Sequence, residues 1–105
     1  MNNTMAEELN SGARKFLSAK ASLIKPVVML GKEGATPQLI KALEEALRAH
    51  ELVKLRFVDY KEDRKTIAAE LARGVDARLV RIIGNVAVYY RPHEEPEKRR
   101  YTLPE

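Results

Sequence analysis

The chain lacks cysteine and tryptophan altogether and has only two histidines among its 105 residues. Missing thiols exclude a disulfide framework, thiolate metal sites and a cysteine nucleophile, and they fit a reducing compartment. His50 and His93 lie far apart with no partner at ligand spacing, so no metal is expected and no cofactor is implied. Asp59, Glu62, Asp63 and Asp76 form neither a catalytic carboxylate pair nor a calcium loop, and read as helix-end and loop charges. No apolar run approaches the ~20 residues of a membrane span. The start M-N-N-T-M-A-E-E-L-N has neither the basic beginning nor the apolar centre of a signal peptide. These absences lead us to expect a soluble cytoplasmic protein without catalytic residues, and the length suits one domain with one core.

Positive charge is present, and it is unevenly placed. The net charge is +4. From Ser11 to Lys32 come Arg14, Lys15, Lys20, Lys25 and Lys32 with no acid among them, while Glu44, Glu45, Glu51 and Glu62 follow later. One part of the surface is therefore electropositive.

Hydrophobic spacing divides the chain into regular elements. After ten residues expected to be mobile, Ser11 can cap a helix with Ala13, Phe16, Leu17, Ala21 and Ile24 on one side, ended by Pro26. Val27 to Leu30 is a short continuous apolar run, as in a strand covered on both faces or central in a sheet. Thr36 and Pro37 cap and open a second helix. That helix carries Leu39, Ile40, Leu43, Ala46, Leu47 and His50 on one face, and Lys41, Glu44, Glu45 and Arg48 on the other.

Leu52 to Val58 alternates, with Val53, Leu55 and Phe57 on one side and Lys54 and Arg56 on the other. A third helix is expected from Lys61 to Arg73, stopped by Gly74. Strands Arg78 to Ile83 and Val86 to Arg91 follow, joined through Gly84-Asn85. Regular alternation would put Val80, Ile82, Ala87 and Tyr89 on the core face and Leu79, Arg81, Val88 and Tyr90 on the other. The expected fold is an α/β domain in the order α-β-α-β-α-β-β, over residues 11–91, with a mixed four-stranded sheet. Residues 92–105 form an extended or mobile tail.

Between the first strand and the second helix stands Gly31-Lys32-Glu33-Gly34. Unpaired backbone N–H groups and the helix dipole favour an anion at such a junction, and glycine lets the backbone approach it closely. The spacing is neither a P-loop nor a dinucleotide fingerprint. A GxxG loop clamps nucleic-acid backbone in KH modules, although glycine also suits any strand-to-helix turn. Lys32 and the acid-free segment before it supply the charge expected for phosphate rather than base contact.

The span from about Leu9 to Glu105 resembles the CRM domain family, named for chloroplast RNA splicing and ribosome maturation, and most of all its single-domain bacterial members of the YhbY type. The matching pieces are I-K-P-V-V-M-L-G at Ile24 to Gly31, the G-K-E-G loop, the A-L-x-x-H-E-L-V-K run at Ala46 to Lys54, Ile83-Gly84, and Y-R-P at Tyr90 to Pro92. The resemblance implies a fold similar to the C-terminal domain of translation initiation factor 3, RNA as partner, and association with precursors of the large ribosomal subunit. It assigns RNA contact to Gly31, Lys32, Glu33 and Gly34 and to the basic first helix with Arg14, Lys15 and Lys20; Lys25 joins them on charge. Glu33 departs from that pattern and should turn from phosphate. Glu94, Glu95 and Glu97 break a tail that is usually basic.

His50 is expected to pack or cap rather than catalyse, and His93 to be solvated. Tyr89 and Tyr90 could supply one base-stacking ring, the other being core. The reading is a non-enzymatic RNA-binding protein that holds rRNA through its phosphates. A translation or splicing accessory role on the same fold is the nearest alternative. A protein-interaction module, meeting a ribosomal protein through the charged face of the second helix, is the alternative from another class. A hydrolase ranks third for want of a nucleophile and base.

Overall fold

A computed structural model describes residues 9–104; the expected mobility of the first residues lies outside this range, Leu9 and Asn10 excepted. Helix α1 (Ser11–Ala21) begins one residue earlier than the serine cap implies. Asn10, extended at φ −76° and ψ 172°, accepts the Ala13 N–H at 2.7 Å through its Oδ1, so Ser11 is the first helical residue. The helix also ends before Pro26 can act. Its last turn tightens, with Leu23 N–H donating to the Lys20 carbonyl and Ile24 N–H to that of Ala21. Lys54 Nζ then takes the Ala21 and Ile24 carbonyls, both at 2.9 Å.

Strand β1 (Val28–Leu30) is an edge strand, not a central one, and only one face is covered. Val28 and Leu30 are buried, whereas Val27 and Met29 are 57% and 51% exposed. Helix α2 (Pro37–His50) starts as read, with Thr36 Oγ1 accepting the Leu39 N–H at 3.1 Å. Leu39, Leu43 and Leu47 are buried, but Ile40 and His50 are exposed, so His50 neither packs nor caps. The chain leaves α2 through Glu51 in the left-handed region at φ 68°.

Strand β2 (Leu52–Phe57) is followed by a single 3-10 turn (Lys61–Asp63) and helix α3 (Arg64–Gly74). Gly74 is the last helical residue rather than the stop. The left-handed residue is Asp76, at φ 55°, with Ala77 N–H donating to the Ala72 carbonyl and Asp76 N–H to that of Arg73, a Schellman closure. Strands β3 (Arg78–Ile83) and β4 (Val86–Tyr90) form the expected hairpin around Gly84 at φ 59°.

The sheet order is β1-β2-β4-β3, with β1 parallel to β2 and β4 antiparallel to both β2 and β3. The fold is thus the expected three-helix α/β domain with a mixed four-stranded sheet. Its hairpin register differs from simple alternation, because an irregularity between Leu79 and Arg81 inserts Val80. Past that bulge the faces exchange. Leu79, Ile82, Ala87 and Tyr89 join the larger core under α2 and α3, with Leu30, Leu43, Leu55, Phe57 and Leu71. Val80, Val88 and Tyr90 join Leu17, Ala21 and Leu52 in a second core under α1. Both sheet faces are therefore packed, and Tyr89 and Tyr90 are 0% and 3% exposed. Neither ring is available to stack on a base. Tyr89 donates its hydroxyl to the Ala68 carbonyl at 2.9 Å, tying β4 to α3.

Residues 91–104 return along the α1 face. Glu51, 3% exposed, accepts the N–H groups of His93 at 2.6 Å and Arg100 at 2.7 Å. Tyr101 and Leu103 pack on the second core, and the Tyr101 ring meets Tyr90 edge to face at 6.4 Å.

Candidate nucleic-acid interface

The Gly31–Gly34 segment links the end of an edge strand to a capped helix. Gly34 N–H donates to the Gly31 carbonyl at 2.9 Å, leaving Lys32 and Glu33 exposed at the two central positions of the turn. Thr36 N–H then donates to the Gly34 carbonyl at 3.0 Å and leads into the cap of α2. The turn rests on Tyr60, whose hydroxyl donates to the Lys32 carbonyl at 2.9 Å. Tyr60 is itself left-handed at φ 57°. Nothing in the sequence singles out Tyr60 as this brace, since a left-handed tyrosine leaves no compositional trace.

The two glycines stand on different grounds. Gly34 has φ 76°, and a Cβ there would lie 3.6 Å from the Tyr60 ring, an ordinary contact, so conformation rather than space requires glycine. Gly31 has no positive φ, and a Cβ there would meet nothing within 4 Å.

The other candidates separate as well. Arg14 donates through Nη1 to the Leu79 carbonyl at 2.9 Å and to the Val80 carbonyl, which holds the β3 bulge. Lys15, Lys20 and Lys25 are exposed, and the Lys20 ammonium lies 5.4 Å from the centroid of the Phe16 ring. Among the described residues, the side chains of Lys15, Lys25 and Lys32 make no hydrogen bond or ion pair. The structure therefore lays Lys15 and Lys20 along α1, Lys25 before β1 and Lys32 after it. They lie on separate elements rather than in one pocket. Arg14 belongs to the fold, with Lys54 as a second cation doing similar work from β2.

Chemically, this surface offers ammonium groups, turn backbone and a helix N-terminus. Among the described residues, no group of three or more His, Cys, Asp or Glu could hold a metal ion, and no helix is long and apolar enough to cross a membrane. A mixed pocket at the other end of the molecule, of about 320 Å³, is lined by Glu44, Arg48, Asp76, Arg91 and His93. Its Arg91 is taken by the Val75 carbonyl at 2.7 Å and by Glu44 at 3.1 Å. His93 is half-buried rather than fully solvated, and its Nδ1 accepts the Glu95 N–H at 3.0 Å.

The model of the CRS1/YhbY (CRM) domain matches residues 9–91. The chain belongs to the CRM domain family. This CRM chain is 35% identical over 97 residues to a Bacillus subtilis protein named Probable RNA-binding protein YqeI, an alignment that covers 91% of the chain and 99% of the relative. It is 36% identical over 88 residues to a Haemophilus influenzae protein named RNA-binding protein, covering 83% and 89%. Among solved structures, a hypothetical protein from Staphylococcus aureus superimposes with a TM-score of 0.76 at 29% identity, covering 91% of the CRM chain and 99% of that structure.

Proposed function

We propose that this CRM protein is a non-catalytic RNA-binding protein that holds rRNA by its phosphate backbone during assembly of the large ribosomal subunit. The contact runs through the Gly31–Gly34 turn and the lysines at positions 15, 20, 25 and 32. RNA as partner is supported by the names of its CRM relatives. The ribosomal setting rests on the resemblance to YhbY-type members.

One observation carries the loop assignment. Gly31 is under no constraint from φ or packing, so nothing inside the molecule calls for a missing side chain there. Close approach of a ligand supplies such a reason, at a turn whose braced backbone and lysine suit a phosphate. Glu33 is solvent-exposed and can turn aside. A protein partner on the charged face of α2 is less well supported, because Glu44 is already held by Arg48 at 3.2 Å and Arg91 at 3.1 Å.

Gradient sedimentation of cell extract tests the setting. The protein should travel with large-subunit precursors, and both nuclease and high salt should release it. Co-sedimentation that survives nuclease would replace the RNA reading with a protein partner.

A further inference from the structure

The sheet face covered by α1 at one end is bare at the loop end. The strand register aligns Met29 with Arg56, Arg56 with Val86, and Val86 with Ile83, one residue from each strand. All four point away from the α2 and α3 core, since their neighbours Leu30, Leu55, Ala87 and Ile82 belong to it. Met29 and Ile83 are 51% and 47% exposed, Arg56 is exposed and Val86 half-buried. Past the Val80 bulge, Arg81 lies opposite Val88 on the same face. Regular alternation also places Arg81 on this face, so the surface carries a second cation. Beside the row lies an open depression of about 430 Å³, lined by Arg56, Val58, Lys61, Asn85 and Val86.

Three inter-strand steps make the row about 14 Å long. It combines aliphatic surface with the Arg56 guanidinium and contains no carboxylate. Unpaired bases match both parts, with flat apolar faces for Met29, Ile83 and the Arg56 plane, and a polyanionic strand for Arg56 and Arg81. A duplex hides its base faces and offers nothing to Met29 or Ile83. A second copy related by a two-fold axis would set Arg56 and Arg81 of each chain against the other's, at an electrostatic cost.

We propose that the Met29–Arg56–Val86–Ile83 row is a platform for unpaired bases, contacting a single-stranded segment of the same RNA whose phosphates meet the Gly31–Gly34 turn. This rests on the RNA-binding reading above and adds the kind of RNA recognised. Met29 lies two residues before Gly31, which places the row next to the turn at the end of β1.

Fluorescence anisotropy with two probes tests it: a blunt RNA hairpin, and the same hairpin carrying a single-stranded extension. The double variant Met29→Ser, Ile83→Ser changes exposed positions and removes no charge. It should weaken binding of the extended probe roughly tenfold, leave the blunt probe within about twofold, and keep the salt slope. Equal effects on both probes, or on neither, would overturn the platform. If the parent binds neither probe, the RNA reading falls with it; if the parent binds and the variant is unaffected, only the platform falls. Should the variant unfold, crosslinking the parent to 4-thiouridine in the extension decides. Adducts at Met29 or within residues 78–91 support the platform, and adducts confined to α1 overturn it.

Discussion

At the end of the sheet where β2 begins and β4 finishes, charged groups are turned inward. Glu51 accepts two backbone N–H groups from the returning chain, and Arg91 is shared between the Val75 carbonyl and Glu44. At the opposite end, the side chains of Lys32 and Arg56 stand in solvent without a hydrogen bond or ion pair among the described residues, Lys32 on a turn braced from below by Tyr60 and Arg56 on β2. The same side-chain chemistry holds the fold together at one end and faces solvent at the other. Arg14 and Lys54 show that sequence position does not separate the two uses, because both interleave with the solvent-facing lysines yet bond internally.

The sharpest way to break this contrast is at Glu51. Glu51→Ala leaves two N–H groups without their acceptor and keeps a non-glycine residue at φ 68°, so it should cost about 3 kcal/mol in denaturant unfolding. RNA affinity per folded molecule should not change. A loss of affinity in the folded fraction would mean that the two ends are coupled.

The glycines sharpen it next. Gly34→Ala should destabilise by about 1–2 kcal/mol from its positive φ, whereas Gly31→Ala should stay within about 0.5 kcal/mol of the parent and still weaken RNA binding. If thermal melts and titrations show Gly31→Ala to be silent in both, the turn serves only to join strand to helix.

Lys54→Met should lower stability by about 1 kcal/mol, by releasing the Ala21 and Ile24 carbonyls, and leave the salt slope of RNA binding unchanged. A shallower slope would move Lys54 into the outward set.

The smallest expected effect is at high pH. Burial, with Glu51 and Tyr101 adding to it and Arg99 opposing, raises the Tyr90 hydroxyl from 10.0 to about 12, and burial raises Tyr89 further. The unfolded state therefore loses these protons first. Stability present below pH 10 should decline as pH climbs from about 10 toward 12, and Tyr90→Phe should flatten that decline in a melting series.

How much of this could be read beforehand depended on how local each cause is. The cap and first-turn proline at Thr36-Pro37, the alternation of β2 and the Gly84-Asn85 hairpin are set by neighbours in the chain, and they stand as read. The Val80 bulge is held by Arg14 from 66 residues away, so strict alternation in β3 misassigned Leu79 and Val80, while Ile82 lies on the core face as read. β1 read as doubly covered because Val27 and Met29 are apolar, although they face solvent. The same long reach hid the Tyr60 brace and the inward use of Arg14. At the candidate site, the exposure of Lys15, Lys20, Lys25 and Lys32 agrees with their charge, while the different standing of Gly31 and Gly34 needed backbone angles.

The central claim is that the outward lysines meet phosphate and the inward cations do not. It is tested most directly by the salt dependence of rRNA-fragment affinity for the variant Lys15→Gln, Lys20→Gln, Lys25→Gln, Lys32→Gln. With an unchanged melting temperature, the slope of log affinity against log salt should become shallower by about 3, from four contacts at roughly 0.7–0.9 each. An unchanged slope in that folded variant would contradict the account.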